Sequence, residues 1–266
     1  MFNKLFGKKA AEQRQPVDPM VEAEQQYQTL KAERGPSDPD TLQALFAYGQ
    51  ALNGRRHFEQ AEQAGRELLT TFETEFGPDH PNVGYGLDVM ATALAGQERR
   101  EEALTHRKRS VELLQNHFGH NHEMTLQRAR ILAVDLVEAG QVDEAQKTLD
   151  TYMPSAMEIP PLYADYMDTS AFVAQAANGP EAAIPILEAL IDFFRQHQQD
   201  STAQYASKLF NLSQVYLQAD RKLDALNASS EAGMVALETY GPDHPAAQDI
   251  FRFQTDLREA SERGEF

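Results

Sequence analysis

The chain of 266 residues contains no cysteine and no tryptophan. Without thiols, neither a disulfide framework nor a thiolate metal site can form. Positive charge is scarce: 24 Lys and Arg stand against 41 Asp and Glu, a net charge of −17. A body of that charge repels a phosphate backbone, so nucleic acid is not an expected partner. No apolar run approaches the roughly 18 residues a membrane span requires. The most apolar segment, 182–194, is interrupted by Pro185, Glu188 and Asp192. Residues 1–9 are basic but lack an apolar core and a small-residue cleavage site, so they do not read as a secretory signal and a cytoplasmic location is expected. Val-Thr-Ile alternation is scarce, whereas Ala, Glu, Gln and Leu abound, which favours helix throughout.

Motifs of chemistry are missing as well. Gly7-Lys8 lacks the upstream glycine, the strand and the following Ser or Thr of a phosphate loop. His122-Glu123-Met124-Thr125-Leu126 begins like a zinc-protease helix but has Leu where the second His must stand. No base and nucleophile pair up, so the chain reads as non-enzymatic, with no cofactor. His117, His120 and His122 cluster, but His80, His122 and His244 share one loop position, which explains them as helix caps rather than metal ligands. Arg107-Lys108-Arg109 reads as a solvated helix face balanced by Glu101, Glu102 and Glu112.

What is present is a repeat. Phe76-Gly77-Pro78-Asp79-His80-Pro81 returns as Phe118-Gly119-His120-Asn121-His122, as Gly35-Pro36-Ser37-Asp38-Pro39 and as Tyr240-Gly241-Pro242-Asp243-His244-Pro245. The glycine supplies the turn that ends one helix, the first proline stops it, Asp or His caps the next, and the second proline fits its first turn. A loop recurring every 42 residues implies a recurring supersecondary unit. Small residues keep the same spacing: Ala61, Ala103 and Ala145 on second helices, and positions 49, 91 and 133 on first helices, where two helices can approach closely. Five hairpins are expected over 35–76, 77–118, 119–160, 161–198 and 199–240. A helix precedes them from residue 20, and a capping helix follows at about 243–263. Gly35 to Gly241 spans five periods less four residues. That missing turn is expected within the first helix of the fourth unit, about 162–177. Residues 1–18 read as a basic tail containing Phe2, Leu5 and Phe6, with weak contact to an anionic membrane as an alternative.

The spacing Leu209, Leu212-Ser213, Tyr216, Ala225, Ala232, with its echoes, resembles the tetratricopeptide repeat. The long period and the Gly-Pro-Asp-His-Pro loop look like the variant found in kinesin light chains. The resemblance covers about residues 20–263 and implies one all-α domain, 19–266, a right-handed α-solenoid of tandem hairpins. It also implies an inner wall built by the first helix of each hairpin. Carried onto this chain, the wall holds Gln43, Phe46, Ala47 and Gln50; Tyr85, Asp88, Val89 and Thr92; Gln127, Arg130, Ile131 and Val134; and Ser207, Phe210, Asn211 and Gln214. Family members use an Asn at the position of Asn211 to hold a ligand backbone. Arg130 is the only cation in this set. Apolar anchors mixed with amides suit an extended peptide, so a peptide or protein partner is expected. The alternative is a regulator that changes shape on binding a ligand or signalling peptide in the same groove.

Overall fold

Each turn of the chain is set by what must satisfy the ends of its helices. A computed structural model describes residues 18–199 and 201–264. Among these it holds twelve α-helices and no strand: α1 Pro19–Arg34, α2 Pro39–Gly54, α3 Phe58–Phe76, α4 Val83–Gly96, α5 Arg100–Phe118, α6 Glu123–Glu138, α7 Val142–Ala156, α8 Pro160–Asn178, α9 Pro180–Gln196, α10 Ala203–Gln218, α11 Lys222–Tyr240 and α12 Pro245–Glu262. Five hairpins with one helix before and one after account for all twelve. The chain divides into two compact units, residues 1–99 with α1–α4 and residues 100–266 with α5–α12, so the division falls between the helices of the second repeat. The basic segment at the N-terminus lies outside the described residues up to Val17. Asp18 is described, and its carboxylate accepts the N–H of Met20 at 3.0 Å to cap α1.

The caps occupy one register. Asp38 accepts from Asp40 N at 3.0 Å, His80 Nδ1 from Asn82 N at 3.2 Å, His122 Nδ1 from Met124 N at 3.3 Å, Thr202 Oγ1 from Tyr205 N at 3.2 Å and His244 Nδ1 from Ala246 N at 3.2 Å. Each histidine stacks on the aromatic ring four residues before it: Phe76 at 4.8 Å, Phe118 at 4.6 Å and Tyr240 at 4.4 Å. In all three the imidazole Nδ1 accepts a backbone N–H at the start of the next helix, so the loop histidines serve the backbone as caps. His120 stacks on Tyr152 at 4.2 Å and His117 meets Phe118 edge-on.

The glycines that end the preceding helices take φ +90°, ψ 167° at Gly35, φ +90°, ψ 160° at Gly77 and φ +80°, ψ 168° at Gly241. This region is open essentially to glycine alone, so the loop motif needs glycine for its backbone and not for space. The turns within hairpins use another device. Arg56, Glu98 and Asp220 have φ of 62°, 63° and 57°, at the register position that Gly140 fills with φ 77°.

The missing helical turn is not where the sequence suggested. α8 is a regular helix of 19 residues, whereas α7 has 15 against 19 in α3, α5 and α11. α7 carries Pro154 near its end, and α8 starts without a side-chain cap at Ile159. α8 then runs through the turn of its hairpin, which shrinks to Gly179 alone.

In unit 1, Leu45, Leu52, Leu68, Leu87 and Leu94 are buried, with Ala61 and Ala91 between them. Tyr27 and Lys31 of α1 reach Glu67 of α3 at 2.8 and 2.6 Å. In unit 2 the small residues Ala103, Ala145, Ala183 and Ala225 are all buried, as expected where helices cross closely. Arg107 is a correction to the solvated-face reading. It is buried, and its Nε donates to Asp135 Oδ2 of α6 at 2.7 Å. Lys108, half-exposed and 2.8 Å from Glu144, fits that reading as a surface pair.

Glu62 gives unit 1 an acid limit. Its carboxylate, 12% exposed, accepts from Gln97 at 3.0 Å, Arg99 at 2.9 Å and Arg66 at 2.7 Å. The Gln97 hydrogen bond, joined by the charges of Arg99 and Arg66, outweighs burial and holds its pKa below the ordinary 4.5. A depressed folded-state pKa contributes stability that is present above the unfolded value and is lost as pH falls through the folded one. Glu62→Gln should therefore flatten the loss of unit 1 stability on acidification below about pH 4.5, as read by urea unfolding at a series of pH values.

Candidate functional site

The first helices of successive hairpins touch within each unit, α2 with α4 and α6 with α8. Their shared face carries two cavities, one in each unit.

In unit 1 the cavity is a cleft of about 430 Å³, lined by Pro39, Leu42, Gln43, Phe46, Phe72, Phe76, Asn82 and Tyr85. Its wall is aromatic. Phe46 meets Tyr85 edge-on at 4.9 Å, and Phe72 lies 6.2 Å from Phe76 and 6.4 Å from Tyr85. Phe76 is half exposed, an unusual state for a ring of that size. Three sequence-predicted residues, Gln43, Phe46 and Tyr85, meet here. Phe72 and Phe76 come from α3, a second helix, and so lay outside the mapped wall. Gln50 and Thr92 are exposed away from the cleft. Asp88 and Val89 are buried. The Asp88 backbone carbonyl accepts Thr92 Oγ1 at 3.0 Å, and that of Val89 accepts Asn53 Nδ2 at 3.1 Å.

In unit 2 a cavity of about 270 Å³ brings together Arg130 and Val134 of α6, Asp168, Thr169, Phe172 and Gln175 of α8, and Asn211 of α10. Lys208 Nζ lies 2.7 Å from Asp168 Oδ2, and Asn211 Nδ2 donates to Asp168 Oδ1 at 3.4 Å. Arg130 Nη1 donates to Thr169 Oγ1 at 3.4 Å, and Arg130 Nε is buried with no partner among the described residues. Phe172 is exposed. Arg130, Val134 and Asn211 were predicted from sequence; the α8 residues were not. They follow the register nonetheless, because Asp168, Thr169 and Phe172 stand 38 residues after Arg130, Ile131 and Val134. Of the remaining predicted residues, Gln127 donates to Glu123 at 3.0 Å, Gln214 is exposed, and Phe210 packs against Phe253 of α12 at 5.3 Å.

A third cavity, about 360 Å³, lies among α9, α10 and α11 and is lined by Glu188, Asp192, Asp224 and Glu231 with Arg195. Its acids are engaged. Arg195 bonds Glu231 at 3.0 Å and Tyr205 at 2.9 Å, Tyr216 donates to Glu188 at 2.6 Å, and Arg221 bonds Asp224 at 2.7 Å. Burial, and then the Glu231 carboxylate that accepts its hydrogen bond, push the Tyr205 hydroxyl up to about 12. The lattice clamps three helices together. Among the described residues no group of three or more His, Cys, Asp or Glu is placed to hold a metal ion, and no helix is long and apolar enough to cross a membrane.

Tandem hairpins with recurring caps place the chain among the all-α solenoid proteins. Residues 48–82 match the model of a tetratricopeptide repeat. BtubC (BKLC) of P. vanneervenii has a similar fold at 12% identity, covering 85% of this chain and 93% of that one, with a TM-score of 0.65. A structure titled "Podosopora anserina putative kinesin light chain nearly identical TPR-like repeats" matches at 15% identity, over 79% of this chain and 100% of that one, with a TM-score of 0.64. A Rap protein complexed with Competence and Sporulation Factor matches at 12% identity, over 92% of this chain and 76% of that one, with a TM-score of 0.59. No curated protein matches the sequence. Residues 48–82 thus carry a tetratricopeptide repeat, and the fold of the chain is similar to that of kinesin-light-chain-like repeat proteins.

Proposed function

We propose that this protein is a non-enzymatic interaction scaffold whose first-helix face holds a peptide or an extended segment of a partner protein. The unit 2 cavity carries the reading. An extended peptide needs apolar contacts for its side chains and hydrogen-bonding partners for its backbone. Phe172 and Val134 offer the first; the amides of Gln175 and Asn211 offer the second. The Asn211 amide nitrogen leans on Asp168, while its carbonyl oxygen has no partner among the described residues and is open to a ligand N–H. Arg130 adds a guanidinium with a single long hydrogen bond. A Rap protein of similar fold is found with Competence and Sporulation Factor, which supports a binding role for this architecture.

The test is selection of peptides from a displayed random library on the intact chain. Selected peptides should lose at least about tenfold in affinity on Asn211→Ala combined with Phe172→Ala, the scale of a lost hydrogen bond plus a lost apolar contact. The urea midpoint should stay unchanged. Peptides that bind the double variant as tightly as the parent would remove this cavity from the binding site. Phe210 is left intact because it packs on α12.

A further inference from the structure

The charges of the unit 2 cavity do not balance. Arg130 and Asp168 are the ionic residues of its lining. Asp168 is already engaged from α10: Lys208 Nζ stands 2.7 Å from its Oδ2, and Asn211 Nδ2 donates to its Oδ1 at 3.4 Å. It holds the register position of Arg130 one hairpin later, yet it pairs forward with α10 and not back with α6. Arg130 has no ion pair to a carboxylate among the described residues. Its Nη1 makes one long bond to Thr169 Oγ1, at 3.4 Å, and its Nε is shut off from solvent without a partner. The buried Tyr166 hydroxyl, which feels the Arg130 charge, is turned to the Leu126 carbonyl at 2.7 Å. Elsewhere in unit 2, Arg107 pairs with Asp135 at 2.7 Å, Arg195 with Glu231 at 3.0 Å and Arg221 with Asp224 at 2.7 Å. With Lys208 answering Asp168, the cavity keeps one positive charge uncompensated.

A guanidinium held among apolar side chains has lost part of its hydration, and an unpaired one keeps that cost. Val134, Ala171, Phe172 and Leu187 give the cavity such walls. A carboxylate is the counterpart that a planar guanidinium takes with two parallel hydrogen bonds. Nη1 has its one long bond, and Nη2 has no partner among the described residues, so this edge of the fork is the one a ligand can take. The net charge of −17 does not cancel the local preference, because the fields of distant surface acids are screened over about 8 Å at physiological ionic strength.

We infer that the unit 2 cavity takes a peptide segment bearing a carboxylate, which pairs with Arg130 while Asn211 Oδ1 accepts a backbone N–H and Phe172 carries an apolar side chain; this deepens the peptide-binding reading of the cavity and rests on it. An acidic side chain and a free chain end present the same group to Arg130.

The test starts from peptides selected on the intact chain from a displayed random library and then synthesised. Replacing an acidic residue of the peptide by its amide, or amidating a free C-terminus, tells a side-chain carboxylate from a terminal one. One of the two changes should weaken binding at least about tenfold, the scale of hydrogen bonds to a charged group. Arg130→Gln should weaken binding of the unchanged peptide as much, and both changes together should cost little more than either alone. Losses that add would mean that the acid and Arg130 do not meet, and peptides that bind with no need of a carboxylate would overturn the proposal as well; both results leave the peptide reading standing. A library that yields no binder removes that reading and this proposal together. The urea midpoint of Arg130→Gln should match or exceed the parent's, because a charge without a counter-charge is removed. A clear fall would make Arg130 a strut between α6 and α8 and overturn its assignment to a ligand.

Discussion

Arg107→Met is expected to cost unit 2 about 3 kcal/mol or more, the range found when one member of a buried ion pair is removed. The Arg107 side chain is 4% exposed and that of Asp135 is 12% exposed, with 2.7 Å between Nε and Oδ2. Taking away the guanidinium leaves a carboxylate facing a hydrocarbon chain. It must then draw in water by loosening α5 from α6, or take up a proton. The companion Arg107→Met with Asp135→Leu should regain most of the loss, because an apolar pair of similar volume removes both desolvated charges. Lys108→Ala sets the scale for the surface. Its pair with Glu144 leaves both side chains more than two-fifths exposed, and losing it should cost no more than about 1 kcal/mol. Urea unfolding of the four proteins decides the matter: an Arg107→Met cost as small as that of Lys108→Ala would mean that the pair is hydrated in solution.

Gly86→Ala should be the most damaging small change in unit 1, at about 2 kcal/mol net. A Cβ on Gly86 would stand 2.6 Å from the Leu69 nitrogen, 2.8 Å from its Cα and 3.0 Å from the Gly65 carbonyl oxygen. All three are backbone atoms of α3, so no side chain can rotate out of the way. The two helices must separate, which also opens the contact of Gly65 with the Met90 backbone. Helix propensity works in the other direction, favouring Ala over Gly by about 1 kcal/mol, and is outweighed. Gly54→Ala supplies the contrast within the same unit. A Cβ there meets nothing within 4 Å, so the same substitution should leave stability unchanged or raise it. A loss of stability for Gly86→Ala and no loss for Gly54→Ala in denaturant titrations is the expected result; equal effects would show that α3 and α4 do not approach as described.

Repeat arithmetic carried a large part of this protein. The recurring Gly-Pro-Asp-His-Pro loop implied helix ends at fixed intervals, and the caps at Asp38, His80, His122 and His244 occupy them. Placing the missing turn was beyond such arithmetic. A four-residue deficit over a period says how much chain is lost and leaves open which helix loses it. The deficit lies in α7, before α8 begins, so the register of α8 is shifted by 38 residues and intact. Asp168, Thr169 and Phe172 were overlooked for that reason alone. Asp88 and Arg107 illustrate a different gap. Asp88 was expected on the inner wall and Arg107 on a solvated helix face, and both are buried.

The amino-acid sequence by itself therefore determined the fold class, the hairpin period and some of the first-helix positions that meet in the two cavities, namely Gln43, Phe46, Tyr85, Arg130, Val134 and Asn211. These follow from local rules: which residue ends a helix, which one caps it, and which small side chain lets a neighbour approach. Tertiary structure alone decided which of those positions face a cavity and which are covered. Phe76 reaches the cleft from a second helix, Phe210 lies against α12, and Arg107 finds Asp135 across a helix pair. Burial depends on what another part of the chain brings alongside, and a periodic pattern reports only which residues share a face.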